Sequence, residues 1–208
     1  MPTPPWIARA ASHDLDALGE FARWWLGTEL GAAPIRNGGG ADRFALLRWF
    51  APAARSHQNQ FILDAAPDDD DLVPFYEEAQ ANFTLSVDPT GVVWLDDSSA
   101  EVGGLVQQPM SLAQCLLQAL LYECTMGADA VAFAWNVPIA IPTPFVARLT
   151  EVPIRPWTSG SARFYASDDV LAVVGANGDL FDFWLGAKTR PALDELCRGL
   201  DTASLEWG

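Results

Sequence analysis

The sequence predicts an α+β fold, a single domain with a central antiparallel or mixed β-sheet and flanking helices. Three stretches carry that expectation. Phe83, Leu85 and Val87 alternate with Thr84, Ser86 and Asp88, the period of a half-buried strand. Residues 112–126 are apolar nearly all round, as in a helix enclosed by the core. Residues 163–184 hold three more strand-like runs, the last two joined at Asn177-Gly178, a hairpin signal.

In chain order, residues 1–11 are Pro-rich and expected to be mobile, with one domain over 12–208. Ser12 is a helix cap, and Leu15, Leu18, Phe21, Ala22, Trp25 and Leu26 recur at helical spacing, which predicts a helix over 13–27. Asn37 to Gly40 is a glycine loop without the Gly-Lys-Ser/Thr of a phosphate cradle. A second short helix is expected over 41–51, with Phe44, Leu47 and Phe50 on one side. Asp88-Pro89-Thr90-Gly91 is turn chemistry, so 83–87 and 92–95 form a central hairpin. Ser111 to Gln114 is a capping box, and Gly127 is the stop for the apolar helix between them. Residues 136–157, with five prolines, predict extended or edge segments and form the one candidate boundary. Thr189 caps a last helix with Pro191 in its first turn.

Charge separates the function classes. With 12 bases against 27 acids the net charge is −15. No Lys or Arg falls between Ser56 and Ala147, a span with 13 acids. A nucleic-acid binder needs a basic face to neutralise phosphate, so direct nucleic-acid binding is not expected. A solubilising surface and a docking face for a basic protein both fit. The acids Asp68, Asp69, Asp70, Asp71, Glu77, Glu78, Asp96 and Asp97 are the candidate partner-binding residues, with Glu101 beside them. Phe83, Trp94 and Trp135 are either anchors for that partner or core residues.

Chemistry is sparse. His13 and His57 are the only imidazoles, and no G-x-S-x-G elbow accompanies them. Cys115 and Cys124 are nine residues apart, near opposite faces of a helix, and are read as core. The four consecutive aspartates lack the alternating spacing of an EF-hand loop. No catalytic residue, metal or cofactor is therefore assigned. No apolar run reaches the ~18 residues of a membrane span, and the three cysteines suit a reducing cytoplasm.

Several of these stretches together resemble a known family. Phe75, Tyr76, Glu78 and Gln80, followed by Val93 and Trp94, are similar to the FYxENQ segment and returning strand of the SUKH superfamily, the Smi/Knr-like proteins. Ala79 and Ala81 stand where that family commonly has Asn and Gly. Gln58-Asn59 precedes the hairpin, and Ser111 to Ala128 is similar to the family's Leu-Gln helix closing on Gly-Ala. The tail Leu205-Glu206-Trp207 also resembles the family's last segment. The resemblance covers about residues 40–207. It implies a bacterial immunity protein of a toxin system. Such a protein is cytoplasmic, monomeric or weakly dimeric, and not an enzyme. It would neutralise a basic cognate toxin domain, one acting on nucleic acid, by stoichiometric binding. The alternatives are a regulatory adaptor or scaffold, and a hydrolase whose carboxylates include Glu78.

Overall fold

The computed structural model describes residues 3–10, 15–27, 59–80, 82–97, 104–157 and 161–208. Expectations for Ser12, His13, the glycine loop, the helix at 41–51, His57, Gln58 and Glu101 lie outside those residues. Within them the class is α+β, with five helices and two antiparallel sheets. The strands thus divide into two sheets where one central sheet was expected.

The first sheet is a meander of β1 (Asn59–Phe61), β2 (Val73–Glu78), β3 (Phe83–Val87), β4 (Val93–Asp97) and β5 (Leu105–Gln107), paired in that order. Antiparallel neighbours need only short connections, so sequence order and spatial order coincide. The central hairpin forms as its residues require. Gly91 takes φ +93°, and Asp88 Oδ1 accepts from the Thr90 and Val92 N–H groups at 2.8 and 3.0 Å. Trp94 Nε1 donates to Asp88 Oδ2 at 3.2 Å, so one carboxylate holds both the turn and the returning strand. The Thr90 hydroxyl, then Trp94 and the two backbone donors, lower the Asp88 pKa to about 2.

Between the two sheets lies α3 (Leu112–Met126), preceded in the chain by α1 (Ile7–Ala10) and α2 (Leu15–Leu26). Its capping box is complete. Ser111 Oγ accepts from Gln114 N at 3.3 Å, and Gln114 Oε1 accepts from Ser111 N at 3.4 Å. Cys115, Leu116, Leu117, Leu120, Leu121 and Cys124 are all buried in one cluster with Tyr76, Leu85 and Leu95 of the first sheet. Leu171, Val173 and Trp184 join the same cluster from the second sheet. A helix covered on every side needs apolar residues on every side, and each fully buried Leu contributes roughly 1.5–3 kcal/mol.

The second sheet runs β11-β6-β10-β9-β8-β7. Its strands are β6 (Ala130–Val137), β7 (Thr150–Glu151), β8 (Arg163–Ala166), β9 (Val170–Asn177), β10 (Leu180–Ala187) and β11 (Glu206–Trp207). One face meets α3. The other packs on α4 (Thr143–Val146) and α5 (Arg190–Cys197) through Phe145, Leu193 and Leu196. Burial on both faces explains why 170–174 reads as one apolar run instead of an alternation. The turn between β9 and β10 is one residue later than Asn177-Gly178 suggested. Asn177 pairs with Leu180, and Gly178 at φ +61° opens a two-residue loop with Asp179.

Two expectations change. The Pro-rich 136–157 stretch supplies the edge strand β7 as expected but also α4, and its Phe145 lies inside the second core. The N-terminal residues 3–10 are held instead of mobile. Trp6 is buried edge-on against Phe21, with ring centroids 4.8 Å apart, and Ile7 and Ala10 join the main core. Burying an indole of that size outweighs the ordering of a short Pro-rich lead. Lys188 sits 4.3 Å over the Trp24 ring, tying α2 to the end of β10.

Helix α3 approaches β10 so closely that Gly186 has no room for a side chain: a Cβ there would lie 2.2 Å from the Thr125 carbonyl oxygen. Gly186→Ala should therefore lower stability by about 2–3 kcal/mol, read as a fall in the urea midpoint. Gly175→Ala, where a Cβ meets nothing within 4 Å, should leave the midpoint within ~1 kcal/mol of wild type.

The Asp88 pKa is lower folded than unfolded, so its contribution is present above the ordinary carboxylate pKa. It is lost as pH falls from about 4 towards about 2. Acid unfolding of wild type and Asp88→Asn should differ at neutral pH and converge below about pH 2.

Candidate functional site

The two sheets part at one end and leave a cleft of about 340 Å³. The first sheet contributes Asn59 of β1, Glu78 at the end of β2, Phe83 at the start of β3 and Asp97 at the end of β4. These four share an edge because Asn59 pairs with Glu78 and Phe83 pairs with Asp97. The helix contributes Tyr122, and the second sheet contributes Asp182 and Trp184 of β10 with Gly175 and Ala176 of β9. Trp157 and Ser161 close the remaining side. Ser161 Oγ fixes that wall by donating to Ala176 O at 3.0 Å and accepting from Ala176 N at 2.7 Å.

Two of the cleft carboxylates, Glu78 and Asp182, are positioned by backbone. Glu78 Oε2 accepts from Gln80 N and Asn82 N at 2.9 and 3.2 Å. Asp182 Oδ1 accepts from Asn136 N at 2.9 Å. Asn136 sits at φ +52° where the β6–β10 register shifts between Phe181 and Phe183, and Asn177 Nδ2 donates to its Oδ1 at 2.9 Å. A bulge of this kind bends the strand beside a site and re-aims its side chains. The potential in the cleft is negative. Burial, followed by the charges of Glu123, Asp182 and Glu78, pushes the Tyr122 phenol well above its ordinary pKa. Among the described residues no Lys or Arg lines the cleft.

Behind the cleft lies a wholly buried polar hub. Glu123 of α3 is fully enclosed, and its Oε1 accepts from the Tyr76 hydroxyl at 2.7 Å and from Asn59 Nδ2 at 2.9 Å. Asn59 Nδ2 also donates to the Tyr76 oxygen at 2.7 Å. Burial first, and then Glu123 as charge and acceptor, raise the Tyr76 pKa far above the ordinary phenol value. The hub joins β1, β2 and α3, so it sets where the Asn59–Glu78 edge of the cleft stands.

The candidate acids do not form one face. Asp68 to Asp71 make an exposed turn before β2, in which Asp68 Oδ1 accepts from Asp70 N and Leu72 N, both at 2.9 Å. Glu78 lies at the far end of β2, a strand roughly 17 Å long at ~3.3 Å per residue. Asp97 is with Glu78 at that end, not with the aspartate turn, because β2 and β4 run the same way either side of β3. Glu77 and Asp96 each pair with Thr84 or its neighbours on the opposite face of the sheet, where Glu77 accepts from Gln60 Nε2 at 3.0 Å. Period-two alternation enforces this split of adjacent acids.

The three aromatic candidates also separate. Phe83 is half-buried, packed 5.4 Å from the Trp157 ring. Trp94 is the strut of the Asp88 hairpin. Trp135 is the one presented to solvent, 45% exposed, with its ring edge-on to Trp184 at 4.6 Å. Asp182, Tyr122 and Trp184 were not among the expected site residues, whereas Trp157, like Trp135, is by sequence either a lid or a core anchor. Two carried a signal: Asp182 interrupts the apolar run Leu180 to Leu185, and Glu123 beside Tyr122 is an acid in an otherwise apolar helix. Cys115, Cys124 and Cys197 are buried thiols, and burial is the main cause raising each pKa. Among the described residues no group of three or more His, Cys, Asp or Glu is placed to hold a metal ion.

No helix among the described residues is long and apolar enough to cross a membrane. No protein-family model, curated protein or solved structure matches the chain.

Removing the Tyr76 hydroxyl leaves Glu123 with one fewer donor in a site closed to water. Tyr76→Phe should cost about 1–3 kcal/mol in chemical denaturation with the fold retained. An unchanged midpoint would show that the hub is dispensable.

Proposed function

We propose that the protein is an immunity protein. It neutralises the basic toxin domain of a bacterial toxin system by stoichiometric, non-covalent binding, with the toxin acting on nucleic acid. The observation that carries this reading is the cleft. It gathers Glu78, Asp97 and Asp182 from two sheets, is walled by aromatic rings, and has no base among its described lining residues. A surface of that sign attracts a basic partner and speeds encounter. The exposed Asp68–Asp71 turn extends the negative field at the other end of the first sheet. The resemblance of Phe75 to Gln80, the apolar helix and the C-terminal segment to the Smi/Knr-like proteins supplies the biological class.

A second reading, a carboxylate-dependent hydrolase, draws on the same gathering of acids. It requires turnover by purified protein that Glu78→Gln abolishes.

The test is capture from the native host with tagged protein, followed by expression of the recovered toxin domain alone. Co-expression of this protein should restore growth, and purified components should bind one to one. Growth that is not restored would remove the immunity reading in favour of an adaptor. Against such a toxin, reversing Asp69, Asp70 and Asp97 to Lys should slow association about tenfold at low salt and flatten its salt dependence. Unchanged rates would remove those acids from the encounter surface.

A further inference from the structure

The cleft has a more specific chemistry than general acidity. At about 340 Å³ it is at the small end of the ~300–1,000 Å³ range of ligand pockets, suited to one long side chain. Glu78 stands on one wall and Asp182 on the other, each with one oxygen held by backbone N–H groups. The remaining wall is aromatic: Phe83 and Trp157 pack together at 5.4 Å, and Tyr122 and Trp184 at 6.2 Å, each pair tilted. Trp157 supplies an independent observation. It lines the cleft, is only 8% exposed, and among the described residues its Nε1–H has no hydrogen-bond acceptor. A buried donor without an acceptor costs free energy.

We propose that this cleft is the receptacle for an arginine side chain carried on a loop of the partner protein. A guanidinium is flat, stacks on aromatic faces and carries five donors in a fixed fork, so it can reach carboxylates on two walls at once. An ammonium is a compact point charge that meets one wall or the other. Trp135, exposed at the rim and edge-on to Trp184, covers the entering loop and keeps water from the ion pairs. The protein already uses this pairing internally, with Arg190 placed 4.5 Å over the Trp207 ring. The partner's identity rests on the immunity reading; the receptacle itself rests on the cleft.

The probe is N-acetyl-arginine amide, titrated into isotope-labelled protein while the tryptophan indole N–H resonances are followed. Trp157 and Trp184 should shift. N-acetyl-lysine amide should bind about tenfold more weakly, and the uncharged N-acetyl-citrulline amide should leave both signals in place. Asp182→Asn keeps an oxygen for Asn136 N–H and so keeps the bulge, yet should weaken arginine binding at least about tenfold. Equal shifts with citrulline, or silence of both indoles with the arginine probe in a folded sample, would overturn the receptacle. A toxin neutralised at full strength by the Glu78→Gln, Asp182→Asn double variant would also overturn it and leave the immunity reading standing. Arginine binding in the absence of any neutralised toxin would uphold the receptacle and remove the immunity reading.

Discussion

A carboxyl group enclosed in the core is the constraint on which this structure turns. Glu123 sits in the last turn of a helix that is apolar nearly all round, wholly shielded from solvent. A buried carboxyl without partners would cost far more than a small domain's net stability allows. The Tyr76 hydroxyl and the Asn59 amide meet it at 2.7 and 2.9 Å, and each comes from a different strand. Apolar packing alone would let α3 rotate or slide against the first sheet at small cost. Directional hydrogen bonds to a buried acid do not permit that. On the opposite side, the contact of Gly186 with the Thr125 backbone fixes the helix against β10. The helix is therefore registered against both sheets, and the gap between them is a consequence of those two contacts.

The cleft inherits its character from this arrangement. Tyr122 is the neighbour of Glu123, so orienting the buried acid also orients the phenol beside the cleft. Asn59 belongs to both places, donating inward to the hub while lining the cleft beside Glu78. On the second sheet the Asn136 bulge holds Asp182 by a backbone N–H. Rigid backbone on both sides gives a pre-organised site, which reduces the ordering cost of binding. Several of the described cations are engaged elsewhere. Arg9, Lys188, Arg190 and Arg198 each meet a nearby acid. Surface ion pairs of this kind contribute little stability. They do leave the cleft to its own carboxylates.

Local patterns in the chain were legible wherever local physics decides the outcome. The Asp88 turn, the Ser111–Gln114 capping box, the alternation of β3 and the Thr189 cap each depend on residues within a few positions of one another. The continuous apolar runs in β9 and α3 reported burial on both sides, and the structure places each between two covered faces. The N-terminus misled because Pro-rich composition speaks against regular structure and says nothing about one large side chain. Trp6 decides that region, through Phe21 and Trp24 some fifteen to eighteen residues away.

What the sequence by itself determined was the α+β class, the apolar helix and its cap, the central hairpin and the excess of negative charge. Those follow from periodicity, turn chemistry and composition, which act over short range or are independent of arrangement. Only the tertiary structure decided that the described strands form two sheets, that Glu78 and Asp97 face inward while Glu77 and Asp96 face out, and that Asp182 joins the first pair from more than eighty residues away. Strand alternation assigns neighbours to opposite faces but cannot say which face is covered. That choice belongs to the packing of α3 between the sheets, where a buried acid and a glycine contact set the register.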